Sequence, residues 1–197
     1  MMARMWESFG ITTAVLAGAG VVAALALLVV LVAVLGGMRR ALRITPWVLL
    51  AMTTVAILVA TLGFGVGDPD AQAGLNLEPF TEIRRGLRAG ASDAVAANVW
   101  GNVAMFVPIG LLLVWLLTSP LIARVIMATI AGIGLSVIIE LAQLTLRRVA
   151  DIDDVILNGS GALLGALVGM VTVLLWRLVT WIARSVRARR HPSAPAA

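Results

Sequence analysis

Five long apolar runs, separated by short polar breaks, organise the chain, and each is long enough to cross a bilayer as a helix. The first runs from Ile11 to Leu35. It has Arg4 and Glu7 ahead of it and Arg39, Arg40 and Arg43 behind. A signal peptide carries a shorter apolar region with positive charge in front, so this run reads as a retained span. Thr45-Pro46 predicts the start of the second, a capping hydroxyl followed by Pro at the first helical position. That span runs to about Val66, where Gly63, Gly65, Gly67 and Pro69 end it. The third is predicted over Ala94 to Leu117, with Gly101 and Pro108 inside it. Pro108 removes the partner of the Ala104 carbonyl and predicts a kink. Ser119-Pro120 repeats the start signal, so spans three and four are expected as a tight hairpin. The fourth ends near Leu146, and the fifth covers Asp153 to Ile182.

The pattern therefore predicts an all-α integral membrane protein with about five transmembrane helices in one bundle. Arginine clusters at Arg39–Arg43 and at Arg177, Arg184, Arg187, Arg189 and Arg190 fall on one side of such a bundle. The positive-inside rule makes that side cytoplasmic, placing the N-terminus outside and the C-terminus in the cytoplasm. The polar segment Asp68–Asp93, between spans two and three, then lies outside, as does Arg147–Asp154. At that length it is expected to hold a short amphipathic or re-entrant piece. Residues 1–67 form two N-terminal spans, 68–183 a second unit of outer loop and three spans, and 184–197 a disordered basic tail. The expected location is the cell membrane.

Composition narrows the chemistry. The chain is 61% hydrophobic and 13% charged, against about half apolar and a quarter charged for a soluble domain. Its net charge of +5 rests on Arg, since no Lys is present. Arginines beside membrane spans read as topology and headgroup contacts, and no nucleic-acid partner is expected. Without Cys, disulfides and thiolate chemistry are excluded; without Lys and Tyr, so are Schiff bases and phenolic acids. The one His, His191, belongs to the tail. No cofactor is implied, and any site must use Asp, Glu, Asn, Gln, Ser, Thr, Arg and backbone.

Such residues recur inside the spans. Asn98 and Asn102 stand one turn apart on the third. Gly132, Ser136, Glu140 and Gln143, spaced four, four and three, make one stripe on the fourth. Asp154, Asn158, Gly161, Gly165 and Gly169 make another on the fifth. All three polar sets fall at one depth, which is what a binding pocket requires. Each also has a structural reading: the glycines as a close-packing face, the asparagines as interhelical hydrogen bonds, Asp151, Asp153 and Asp154 as cap and first-turn acids. Glu140 stands apart, because an ionisable group inside a span costs about 2.5–3.5 kcal/mol and by default marks function. Its structural alternative is a pair with Arg147 or Arg148, or a neutral hydrogen-bonded acid.

Four elements resemble a known family. Asn76-Leu77-Glu78-Pro79-Phe80 is similar to its Asn-Leu-x-Pro-Phe element, and Asn98 through Gly110 to its Asn-x-x-Gly-Asn-x-x-x-Phe-x-Pro-x-Gly helix. Ser136 to Gln143 resembles Ser-x-x-x-Glu-x-x-Gln. Arg148 to Gly165 resembles Arg-x-x-Asp-x-Asp-Asp-x-x-x-Asn-x-x-Gly-x-x-x-Gly, with Gly159-Ser160 a looser fit. This is the VanZ-like family, and the resemblance covers about Asn76 to Gly169. It implies an accessory membrane protein like the one that lowers sensitivity to teicoplanin, with a general envelope role rather than dedicated resistance.

The expected function is non-enzymatic binding of an anionic lipid headgroup or lipid-linked envelope precursor in an outward-facing polar pocket. Asn98, Asn102, Glu140, Gln143, Asp153, Asp154, Asn158 and Arg148 are the candidate ligand-binding residues, with Arg84, Arg85 and Arg88 attracting phosphate. An alternative is an intramembrane enzyme acting on a lipid or lipid-linked sugar. There Glu140 and the Asp153/Asp154 pair would divide acid and base roles, or Asp153, Asp154 and Asn158 would hold a Mg²⁺-type ion. No nucleophile and base are paired, so no catalytic residue is assigned. A proton-coupled transporter using Glu140 is disfavoured by five spans without an inverted repeat, unless the protein forms a homo-oligomer.

Overall fold

The computed structural model describes residues 2–63, 74–88 and 92–190. Its elements are α1 (Met2–Gly36), α2 (Met38–Leu62), β1 (Leu75–Asn76), α3 (Thr81–Gly86), α4 (Asp93–Leu116), α5 (Leu121–Thr145), β2 (Ala150–Asp151) and α6 (Ile152–Arg190). Four of them, α2, α4, α5 and α6, are long and apolar enough to cross a membrane, and α1 adds a shorter apolar stretch over Gly20–Gly36. The protein is an all-α, multi-pass membrane protein.

The second span does not start at Thr45-Pro46. Gly37, at φ 82, breaks the chain in a left-handed conformation and α2 begins at Met38. Arg39, Arg40 and Arg43, all good helix formers, continue it through Pro46. Pro46 leaves the Leu42 carbonyl without its i+4 donor, while the Thr45 hydroxyl donates backwards to the Ala41 carbonyl at 2.8 Å. The signal one hairpin later marks the right place, although Pro120 is itself the cap and Ser119 makes no capping bond: α4 ends at Leu116, and α5 follows Pro120 directly. There Arg124 donates from Nε to the Ser119 carbonyl at 2.6 Å and from Nη1 to Val114 at 3.3 Å, covering the frayed end of α4. At the other end of the chain α6 runs through Arg184 and Arg187 to Arg190, so a tail expected from residue 184 is helical to that point. His191 and the rest of that tail lie outside the described residues, as do Asp68 and the glycines from Gly65 to Gly67.

The core is a three-helix unit in which α4 and α6 pack directly and in parallel, with α5 antiparallel against both. Gly161 and Gly165 set the α4–α6 approach: a Cβ on either would run into the facing carbonyl of Val103 or Val107. Gly110 on α4 is equally tight against the backbone at Ala162. The glycine stripe is thus a close-packing face. Phe106, Ile109, Ile139 and Ala162 fill the space above mid-height with Ile57 of α2, and Val114, Val125, Ala128 and Val173 fill it below. At the far end, Trp115 donates to the Thr172 hydroxyl at 2.9 Å, fixing the same parallel register.

Candidate functional site

The polar residues gather at the end of the bundle where α4 and α6 begin and α5 finishes. The break after α5 has a definite cause. Arg147 adopts φ 57. The Arg148 N–H then donates to Gln143 O at 3.0 Å, and the Arg147 N–H to Leu144 O at 3.1 Å. Those are the two bonds of a Schellman motif, here with an arginine where glycine is usual. The turned chain pairs in parallel with the distant β1, Leu75 opposite Ala150 and Asn76 opposite Asp151. Both polar segments therefore sit on the same side of the bundle.

The three aspartates do three different jobs. Asp151 behaves as the cap of α6: its Oδ1 accepts the Asp153 N–H at 2.9 Å. Its Oδ2 accepts from the Asn76 amide at 2.9 Å. Asp153 is fully buried, and its carboxylate serves another helix altogether. Oδ1 accepts the Phe80 N–H at 2.5 Å, and Oδ2 accepts Glu82 N–H at 2.7 Å and Ile83 N–H at 3.2 Å. Asp154 accepts from the Asn102 amide at 2.6 Å, while Asn98, one turn earlier on α4, is exposed.

Glu140 is 6% exposed, with Oε2 accepting the Asp151 N–H at 2.9 Å. No ion pair between it and Arg148 is formed; Arg148 instead donates from Nη1 to the Thr61 carbonyl at 2.6 Å. Gln143 donates to the same carbonyl at 3.3 Å. Together they cap the last turn of α2, and the Arg148 charge faces the negative end of that helix. One turn deeper, the Asn158 amide donates to the Ser136 hydroxyl at 2.9 Å, leaving Asn158 Oδ1 buried and unpartnered.

The single polar cavity expected from the sequence is thus divided. Asn102 and Asp154 form one cluster, Glu140, Asp151 and Asn76 a second, Ser136 and Asn158 a third, and Asp153 is sealed beneath α3, while Asn98 stays exposed on α4. The trio Asp153, Asp154 and Asn158 is split by the same bonds. Among the described residues, no three acids or histidines stand where a metal ion could be held. Arg84, Arg85 and Arg88 are exposed around α3, with Arg85 paired to Glu82 at 2.6 Å.

Beside the Glu140 cluster lies a cavity of about 160 Å³. Leu75 and Leu77 roof it, Val137, Leu141 and Leu144 of α5 form one wall, and Ile152 and Val155 of α6 another; Glu140, Ala150 and Asp151 complete the lining. Leu75, Leu77 and Leu141 are each more than half exposed, so the cavity opens sideways along the apolar flank of the bundle. The residues that roof it were missed from sequence. The one signal pointing to them is the Asn76–Phe80 element itself, whose asparagine and backbone N–H groups are what the acids of α6 bind.

Fold and site define a multi-pass membrane protein whose three closely packed helices carry a knot of acids and amides at one end. A family model described as VanZ/LLP1 matches residues 47–177, and the chain belongs to that family. No curated protein and no solved structure matches it.

Proposed function

We propose that the protein is a non-catalytic envelope component that holds part of a lipid, or of a lipid-linked envelope precursor, at the bundle end carrying Glu140. The positive-inside rule orients that end outward, since the arginines of α2 and of the distal part of α6 lie at the other. The observation that carries this reading is the apolar cavity next to the polar knot. At about 160 Å³ it matches cavities that take a benzene-sized apolar group, so it accepts a short piece of hydrocarbon chain. Polar atoms of the same molecule would then lie level with Glu140, Asp151 and Asp154. Acids dominate there, and Arg148 is spent on Thr61, so the favoured polar part offers hydroxyl or amide donors rather than bare phosphate. A change in teicoplanin sensitivity would follow from sequestering a precursor, as a consequence and not as the primary role.

The test is lipid retention. Purified in mild detergent from cells, the protein should carry a defined lipid visible by native mass spectrometry. Leu141→Trp fills the cavity and should reduce that signal at least tenfold, and Glu140→Gln should weaken it several-fold. Retention unchanged in both variants would sink the proposal.

A further inference from the structure

The end of α6 opposite the polar knot outruns the bundle. Gly161 faces Val103, Gly165 faces Val107, Gly169 faces Leu111 and Thr172 meets Trp115, so α6 tracks α4 residue for residue. But α4 ends at Leu116, whereas α6 continues to Arg190. The helix beyond Val173 projects about 25 Å past its partner, at 1.5 Å per residue. Measured from Asp154, the roughly 20 residues that cross a bilayer core are used up by that same point.

This projecting arm is amphipathic in a particular way. Arg177, Thr180, Arg184 and Arg187, spaced three, four and three, fall on one stripe. The remaining surface is apolar and uncovered: Leu178, Ile182 and Val186 are between 45% and 51% exposed, and Trp176 and Trp181 are 60% and 65% exposed. No Asp or Glu occurs anywhere after Asp154. A solvated arm would not carry such a surface, and a spanning helix would not carry such a stripe.

We propose that residues 174–187 form an interfacial arm that binds anionic phospholipid headgroups of the leaflet at the arginine end of the bundle. α6 is unbroken from Ile152 to Arg190, so the arm reaches the acyl boundary through tilt of the whole helix; its apolar side then enters that boundary with the two tryptophans at headgroup depth, and the arginines meet lipid phosphates. Arg39, Arg40 and Arg43 at the start of α2 lie at the same end and extend the basic surface. Charge selects this occupant over a second copy of the chain, because two arms would bring arginine stripes of like sign together without a carboxylate to offset them. This surface is independent of the Glu140 site and stands or falls separately from it.

The chain lacks cysteine, so Ile182→Cys accepts a single nitroxide label. The test compares nanodiscs of phosphatidylcholine alone with nanodiscs containing phosphatidylglycerol, reading collision rates with oxygen and with a water-soluble nickel chelate. Phosphatidylglycerol should raise the oxygen rate and suppress the nickel rate at residue 182. Arg184→Gln with Arg187→Gln should abolish that difference and reduce the preference for phosphatidylglycerol roughly thirtyfold, at about fivefold per arginine. Both arginines are exposed, so thermal unfolding should not change. A label equally open to nickel in both bilayers overturns the proposal. So does lipid dependence that survives the double substitution, or spin–spin broadening showing that a second copy covers the arm.

Discussion

The carboxylate of Asp153, in the first turn of α6, accepts the backbone N–H of Glu82 at 2.7 Å and fixes the start of α3. Two further N–H groups, of Phe80 and Ile83, converge on the same carboxylate. Phe80 is held at φ 68 in that turn, which a non-glycine residue adopts only when its surroundings enforce it. A buried acid that looks like a ligand is therefore a clamp joining the segment before α4 to the helix after α5.

Asp153→Asn should release this clamp. An amide cannot accept at both ends, so at least one of the three bonds is lost, and bonds to a charged acceptor are worth about 1.5–3 kcal/mol each. Because α3 lies at the bundle end, water can take over the freed N–H groups once the segment lifts. The expected signature is faster hydrogen exchange at Glu82 and Ile83, with the melting temperature of the helices nearly unchanged. Uniform loss of protection in α4 and α6 would instead mark Asp153 as part of the global core.

Gly165→Ala places a methyl group against the Val107 carbonyl, between two backbones that cannot yield as a side-chain tip would. Overpacking of this kind costs about 1–3 kcal/mol and sometimes more. Gly134→Ala is the matched control, since nothing stands within 4 Å of a Cβ there. It should be neutral or stabilise by about 0.5–1 kcal/mol. Thermal unfolding in detergent distinguishes them, and equal melting temperatures would refute the backbone-contact account.

Gln143 and Arg148 share one acceptor, the Thr61 carbonyl, so their contributions should not add. While either donor remains the carbonyl stays partnered, so each single alanine variant is expected to cost about 0.5–1.5 kcal/mol, and the double variant, which removes both donors, should exceed the sum by about 0.5–1 kcal/mol. Full additivity in a double-mutant cycle would mean that the two side chains act on separate partners.

Much of this arrangement is legible in the sequence, and the parts that are not share a cause. Spans three to five, the break at Arg147–Asp154 and the depth of Asn102, Glu140 and Asn158 all follow from apolar periodicity, which side chains carry. The bonds of Asp153, Arg148 and Gln143 go to backbone groups of Phe80, Glu82, Ile83 and Thr61, and a backbone group has no letter in the sequence. Pairing of Asn76 with Asp151 joins strands of two residues each, too short for any period to register. Pro46 misled for a different reason: the pattern marks where proline is most comfortable, whereas Gly37 upstream decided where the helix could begin.

Ser136 and Asn158 decide how deep any site extends. Their hydrogen bond is buried, one helical turn from Ile139 and Ala162 of the apolar core, with Asn158 Oδ1 left without a protein partner. Ser136→Ala alone strands the whole amide and should destabilise by about 1–3 kcal/mol. Replacing both, as Ser136→Ala with Asn158→Leu, removes every polar atom from that layer and should recover most of the loss, because an apolar pair of similar volume carries no desolvation penalty. If the layer serves only to join α5 and α6, the double variant should match the parent in both melting temperature and lipid retention. If the free Oδ1 receives a donor from a bound molecule or from an ordered water beneath it, stability should recover and retention should not. Measured on the same preparations, that divergence separates a joint between helices from the floor of a binding site.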